Sequence, residues 1–431
     1  MCDLAVLGGD PIRTEPFPRW PIFDQSEIDA VSQTVLSGRW GGFPYPGPNI
    51  AEFAEKFSEM QGGGVAVPMM NGSITMEVAL RAAGIGWGDE VIVPAYTFAA
   101  TASAPMAAGA IPVIVDISPS NYCMDPDALA RAITPKTKAI IPVHIAAQMA
   151  DMDAIMAIAE KHNLIVIEDS AHAHGAQWRG MGAGTIGDFG SFSLQSAKII
   201  TTGEGGVLLC KDEKMAERVA SIVDCGRPKD PDMKHYTFGI NYRWSELHAA
   251  IGLVAISRFP QQMAQRAEMA DYFEECTRDL PGIQLLDRDP RHNRRTQYRY
   301  IFKIDPDYFG CTNDTFCYAL TGEGLPVDTG YPPMHQYELF QPGLSCLPVP
   351  TAFSDYFKFD QMSFPVTERA AHIESVWIKE AVFRAGKSGV DDFIAGIRKL
   401  DNNKEKLKKL AIKHHDLIEN HENVSRMLKR R

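Results

Sequence analysis

Leu164-Ile-Val-Ile-Glu-Asp169 sets four apolar residues in succession ahead of two carboxylates. A strand with one wet face alternates apolar and polar residues, so a run that is apolar at every position reads as a strand covered on both faces. Val91-Ile-Val93, Val113-Ile-Val115 and Ala139-Ile-Ile-Pro-Val143 have the same character. Helical periodicity fills the gaps. Residues 73–83 place Met76, Ala79, Leu80 and Ala83 on one face and stop at Gly84, and residues 151–162 repeat the pattern with Met152, Ile155, Ile158 and Ala159. The βα alternation from about residue 65 to 210 predicts an α/β fold, with a large, mainly parallel sheet held between helix layers.

Beyond Arg258 the pattern changes to a charged helix (261–278), a strand (297–304), a Pro-rich stretch and a helix near 390–400. The expected organisation is an N-terminal segment with the large domain (1–259), a smaller α+β C-terminal domain (260–400) and a Lys-rich tail (401–431). That tail closes with Leu428-Lys-Arg-Arg431 and reads as a solvated helix.

The 431 residues are 45% hydrophobic and 23% charged, which is globular rather than disordered composition. Their 43 basic against 54 acidic side chains leave a net charge of −11, a poor match to nucleic acid or an anionic membrane surface. Eight cysteines without a CxxC pair fit reduced thiols in a cytoplasmic protein. Met1-Cys-Asp-Leu4 lacks a basic region followed by an apolar core, so no secretory signal is expected. The uncharged run 95–115 has the length of a membrane span, but Pro105, Gly109 and Pro112 break it into a short helix and a buried strand.

Parallel sheets bind ligands at the carboxyl ends of their strands, which directs attention to 94–101, 144–148 and 168–174. The richest stretch is Gly190-Ser-Phe-Ser-Leu-Gln-Ser-Ala-Lys-Ile-Ile-Thr-Thr-Gly-Glu-Gly-Gly206. Lys198, among small and apolar residues, reads either as a solvent-facing lysine or as a desolvated amine able to form a Schiff base. Asp169, at a strand end, is either a helix cap or a partner for a protonated pyridine nitrogen. Glu168, Asp169, His172 and His174 also form a nominal metal cluster, although neighbouring strand carboxylates point to opposite faces, and no metal is expected. Asn71-Gly-Ser-Ile-Thr75 opens a helix, either as a simple turn and cap or as a phosphate cradle at Ser73 and Ile74. Ser193 offers a hydroxyl, and Phe98 is either core or the cover for a flat ring. In this order on one layer the parts describe a pyridoxal phosphate site.

Asn71-Gly-Ser, Pro94-Ala-Tyr-Thr-Phe98, Glu168-Asp-Ser-Ala-His172, Ser193-Leu-Gln-Ser-Ala-Lys198, Gly203-Glu-Gly-Gly206 and Asn241-Tyr-Arg243 together resemble the DegT/DnrJ/EryC1/StrS aminotransferases, from about residue 7 to 400. The resemblance implies a fold-type I, pyridoxal 5'-phosphate-dependent aminotransferase passing through pyridoxamine phosphate. It implies a homodimer with shared active sites, acting on a keto-sugar or keto-cyclitol in aminosugar, aminocyclitol or antibiotic biosynthesis. Glutamate or glutamine would be the donor. Lys198 then matches the Schiff-base lysine, Asp169 the ring-nitrogen partner and Phe98 the stacking aromatic. Gly72, Ser73, Ile74 and Ser193 match phosphate contacts, and His172 and Gln195 line the cofactor pocket. Asn241 matches a phosphate ligand given by the partner subunit, and Tyr331 and His335 are candidate substrate contacts.

Gly8-Gly-Asp-Pro-Ile-Arg13 and Ser37-Gly-Arg-Trp40 lean toward the branch handling cyclitols and aminohydroxybenzoate precursors. His144-Ile-Ala-Ala-Gln148 departs from the family's usual aromatic-glycine pair, and the 41–47 segment is unusually Pro-rich. Both departures bear on the acceptor. Two rivals stand beside the transaminase: an aromatising aminohydroxybenzoate synthase or other dehydratase, and a non-catalytic cofactor-binding partner protein. The sugar dehydratases of the family carry histidine in place of the lysine, against Lys198 here.

Overall fold

The computed structural model describes residues 3–41, 46–227, 234–235 and 237–411. Its main sheet holds β1 (Val65–Met69), β2 (Glu90–Pro94), β3 (Ile111–Val115), β4 (Thr137–Ile140), β5 (Ile165–Asp169), β6 (Phe189–Ser193) and β7 (Gly206–Cys210). The spatial order is β1-β7-β6-β5-β4-β2-β3. Neighbours from β6 to β3 are parallel, and β7 alone runs against both β1 and β6. Every residue of β2, β6 and β7 is buried, as continuous apolar runs require.

Helices cover both faces. Gly72–Ala82, Ala100–Ala108 and Glu213–Val223 pack into one core. Pro126–Ala132 and Met152–His162 contribute to a second, and Pro48–Gln61 with the first half of Glu246–Thr277 to another. The helix expected at 73–83 begins one residue earlier because Asn71 caps it, accepting the Ile74 N–H at 3.0 Å. The uncharged 95–115 run is the helix Ala100–Ala108 followed by β3. Among the described residues no helix is long and apolar enough to cross a membrane, and the seven cysteines are free.

The charged segment 261–278 is the second half of one helix, Glu246–Thr277, which continues through Pro260. Phe259 before the proline and Phe273 after it are both buried, so tertiary packing offsets the lost backbone hydrogen bond. A second, antiparallel sheet follows, in the order Ile283–Leu285, Arg299–Ile304, Ser375–Lys379, Val327–Asp328, with the helix Lys387–Asn402 against it. The start of the chain joins this same core. Leu4 is fully buried there, and the Ala5 and Ile12 N–H groups donate to the Glu323 carboxylate. Arg384 then donates to the carbonyls of Pro18 and Arg19, and the Trp20 indole donates to Ser196 O at 2.8 Å, two residues from Lys198. Residues 42–45 of the Pro-rich segment and the tail from 412 lie outside the described residues.

Candidate active site

Asp169 ends β5 and is buried, with no cation bonded to it among the described residues. Its carboxylate accepts the Thr101 hydroxyl at 2.8 Å and the Ala171 N–H at 3.2 Å, and Thr101 is met by the Thr97 hydroxyl at 2.9 Å. Burial raises its pKa, opposed by those two hydrogen bonds and by the positive charge of Lys198. Glu168, one residue earlier, points the other way. It accepts N–H bonds from Gly184, Ile186 and Gly187 and meets His144 Nε2 at 2.9 Å. The nominal metal cluster is therefore split: Glu168 organises a turn, and the His174 ring packs against Phe57 and Phe192. No three His, Cys, Asp or Glu side chains group as metal ligands among the described residues.

Lys198 follows β6 in a tight turn, its N–H bonded to Gln195 O at 2.8 Å. Its amine lies over the Tyr298 ring, 4.7 Å from the centroid. Burial brings its pKa down from 10.5 to about 8; Asp169 opposes that shift and Arg299 adds to it. The amine is thus close to half neutral just above neutral pH, which a solvated lysine is not.

His172 is buried and stacks on Tyr298 at 4.3 Å, with Tyr331 parallel to it at 6.2 Å. Its Nδ1 accepts the Ala146 N–H, so its proton sits on Nε2, which faces the Tyr331 hydroxyl at 3.3 Å. Burial and the nearby cations hold its pKa well below the ordinary value, so the ring is neutral. Ala146 and Ala147 both have left-handed backbone, φ 51° and 70°, at the point where the family commonly has an aromatic and a glycine. Phe98 stands beside Tyr331 with its rings 6.0 Å apart and remains 55% exposed.

Gly72 opens the helix Gly72–Ala82 directly against β6. A Cβ there would lie 2.8 Å from the Ser193 Cβ, so only glycine permits this approach. Ser193 Oγ accepts the Gln195 N–H, which leaves its own proton to donate into the same space. The Ile74 N–H is engaged by the Asn71 cap, and the Gly72 and Ser73 N–H groups head the helix.

Three expected residues stand apart from this group. The Gln195 side chain turns back on its own loop, to Ser196 and the Ala197 N–H. His335 packs on Phe364 and faces Glu368 at 3.4 Å. Asn241 is on the exposed surface, accepting the Arg243 N–H. Conversely, Thr101, Tyr298 and Arg299 belong to the site and were not singled out from the sequence. Thr101 lies within a strand-end region already marked for ligands, whereas Arg299 begins a strand of the second sheet, Tyr298 immediately precedes it, and neither carries a local signal.

A mixed seven-stranded sheet with one reversed strand, a buried carboxylate at a strand end and a lysine of lowered pKa beyond the next strand define a fold-type I aminotransferase. The DegT/DnrJ/EryC1/StrS aminotransferase family profile matches residues 21–375, and the chain belongs to that family. A Streptoalloteichus tenebrarius protein with the provisional name L-glutamine:3-amino-2,3-dideoxy-scyllo-inosose aminotransferase is 39% identical, over 94% of this chain and 99% of its own. The L-glutamine:2-deoxy-scyllo-inosose aminotransferase of Micromonospora echinospora is 35% identical over 94% and 99%. Among solved structures, 3-amino-5-hydroxybenzoic acid synthase superposes with a TM-score of 0.80 at 29% identity, covering 90% of this chain and 99% of that one. DesI, solved with its TDP-sugar product, gives 0.80 at 27% identity over 96% and 99%.

Proposed function

We propose that this aminotransferase uses pyridoxal phosphate to move the amino group of L-glutamine onto a keto-cyclitol of the inosose type. The observation that carries the cofactor assignment is geometric: Asp169 is buried at a strand end with no cation bonded to it among the described residues, and the Lys198 amine lies over the Tyr298 ring within reach of its charge. The acceptor and donor rest on the names of the relatives that match nearly end to end.

The residues fit the cofactor. Asp169 would hold a protonated ring nitrogen, because a buried carboxylate without a bonded cation gains most from one. Gly72, Ser73 and the Ser193 hydroxyl would hold the phosphate, with Ile74 sharing its N–H with the Asn71 cap. Phe98 and His172 would flank the flat ring, and Asn241 of a partner subunit would complete the phosphate site in a homodimer. Pyridoxal phosphate, when bound, supplies an aldehyde carbon that carries the amino group and a ring that takes up the electron pair of a broken Cα–H bond.

Lys198 would have two tasks: its neutral amine would hold the cofactor at the aldehyde carbon, and its Nζ would take and return a proton. Thr101 and the Ala171 N–H keep Asp169 oriented and charged throughout. The neutral His172 and Tyr331 exclude water without placing another cation beside Lys198.

The test is a visible absorption spectrum of the full chain with pyridoxal phosphate, before and after L-glutamine. A band that forms and is then bleached by L-glutamine, and that 2-deoxy-scyllo-inosose restores, is expected. A band that persists with both L-glutamine and L-glutamate would sink the donor assignment, and no band would sink the role of Lys198.

A further inference from the structure

The turn that carries Lys198 is hydrogen-bonded to the rest of the protein at one point. Its other bonds are local: the Gln195 N–H goes to Ser193 Oγ, the Ala197 N–H to Gln195 Oε1, the Gln195 side-chain amide to Ser196 Oγ and the Lys198 N–H to Gln195 O. Ser196 and Ala197 are exposed. Among the described residues, the Trp20 indole is the sole group from another segment that bonds to residues 195–198, reaching Ser196 O at 2.8 Å across 176 positions of sequence. A short exposed turn with only local bonds is open to fluctuation, because water replaces each of those bonds at little cost.

Trp20 is itself placed by buried charges. Arg384 closes the short helix Ala381–Arg384, which follows the strand Ser375–Lys379 of the second sheet. Its guanidinium donates to Arg19 O at 2.9 Å and to Pro18 O at 3.0 Å, and lies 5.2 Å from the centroid of the Trp20 ring. Its Nε donates to Glu380 at 2.6 Å, and Glu380 has a second guanidinium, that of the fully buried Arg266, at 3.9 Å. A buried carboxylate between two cations is costly to move, since displacing it leaves charge without a partner. Arg384 is thereby fixed, and the backbone of residues 18–19 and the indole with it. We infer that Trp20 is a positioning residue for Lys198: it transfers the seating of the second sheet, through Arg384, onto the turn that aims the lysine. The inference rests on the transaminase reading above. An indole suits the task, because its single N–H is a donor only and its face accepts a guanidinium.

The experiment uses Trp20→Phe, Arg384→Lys and the double variant in the full-length chain. Trp20→Phe keeps a ring beside Arg384 and removes the N–H, while Arg384→Lys keeps a charge for Glu380 and loses the fork that spans two carbonyls. Hydrogen exchange of the Ala197 and Lys198 amides reads the turn itself, with and without pyridoxal phosphate. Single-turnover kinetics of the loaded enzyme over a range of L-glutamine concentrations separate the rate constant from donor binding. Loss of one neutral hydrogen bond predicts, for Trp20→Phe, exchange at these two amides faster by about 3- to 10-fold and a rate constant lower by about the same factor. Half-saturation by L-glutamine should stay within about twofold of the parent, and urea unfolding should be unaltered. A residue with only a structural role would shift the unfolding midpoint and leave the rate constant of the folded enzyme alone. Arg384→Lys should also speed exchange at the turn, and the double variant should match it there rather than add to it, because both changes act through one link.

Parent-like exchange at Ala197 and Lys198 in Trp20→Phe overturns the inference, and so does faster exchange with an unaltered rate constant. Additive effects in the double variant overturn the link to Arg384. Trp20→Phe decides alone if Arg384→Lys does not fold. If neither L-glutamine nor L-glutamate reacts, the donor assignment has failed, while exchange at the turn and the rate at which the pyridoxal phosphate band forms still decide the role of Trp20.

Discussion

Lys198 is where folding and chemistry pull against each other. Its amine is drawn from 10.5 to about 8 chiefly by burial, so the folded chain holds this proton less tightly than the unfolded chain. Between about pH 8 and 10.5 the unfolded state therefore binds more protons, and the contribution of Lys198 to stability improves as pH rises through that window. Below pH 8 the cost is present in full. Cofactor-free Lys198→Met is accordingly expected to be more stable than the parent at pH 7 by about 1–2 kcal/mol, after discounting for its partial exposure. The gap should narrow toward pH 10. Thermal denaturation across that range checks it, and a gap that does not change with pH would mean that the amine keeps its water.

At the scale of an element, β5 delivers two adjacent carboxylates to opposite tasks. Glu168 accepts three backbone N–H groups and faces His144, holding the 184–187 turn against the sheet. Asp169 faces the site with its charge opposed by burial. Glu168→Gln leaves buried N–H donors facing an amide and should cost about 2–4 kcal/mol in urea denaturation. Asp169→Asn removes a charge that folding disfavours, so its stability should match or exceed the parent while turnover falls at least about 100-fold. Equal destabilisation by both would assign both carboxylates to scaffolding. The pleat was readable from Leu164-Ile-Val-Ile-Glu-Asp169: alternation puts neighbouring side chains on different faces. Which face held the site was not, because that depends on Thr101, brought in from the following helix of a different βα unit.

At the scale of the molecule, the proposed homodimer makes each site out of two chains. Lys198 and Asp169 come together within one chain, while Asn241 is on its surface. Mixing Lys198→Ala and Asn241→Ala chains, each inactive alone, should restore activity to roughly a quarter of the parent sites after subunit exchange. In a mixed dimer, one site receives Lys198 from one chain and Asn241 from the other. Activity after refolding the 1:1 mixture is the measurement, and no recovery would place Asn241 outside the partner's site.

The sequence by itself determined the βα order, the capped helix at Asn71-Gly72 and the ligand end of β5, because each follows from local periodicity, turn chemistry or short spacing. Only the tertiary structure decided that Leu4 belongs to the C-terminal core and that Pro260 lies inside one continuous helix. It also decided that Tyr298, just ahead of the second sheet's strand Arg299–Ile304, meets Lys198. Those contacts join residues far apart in the chain, and they are fixed by which apolar faces can be buried together, a constraint that no local pattern carries.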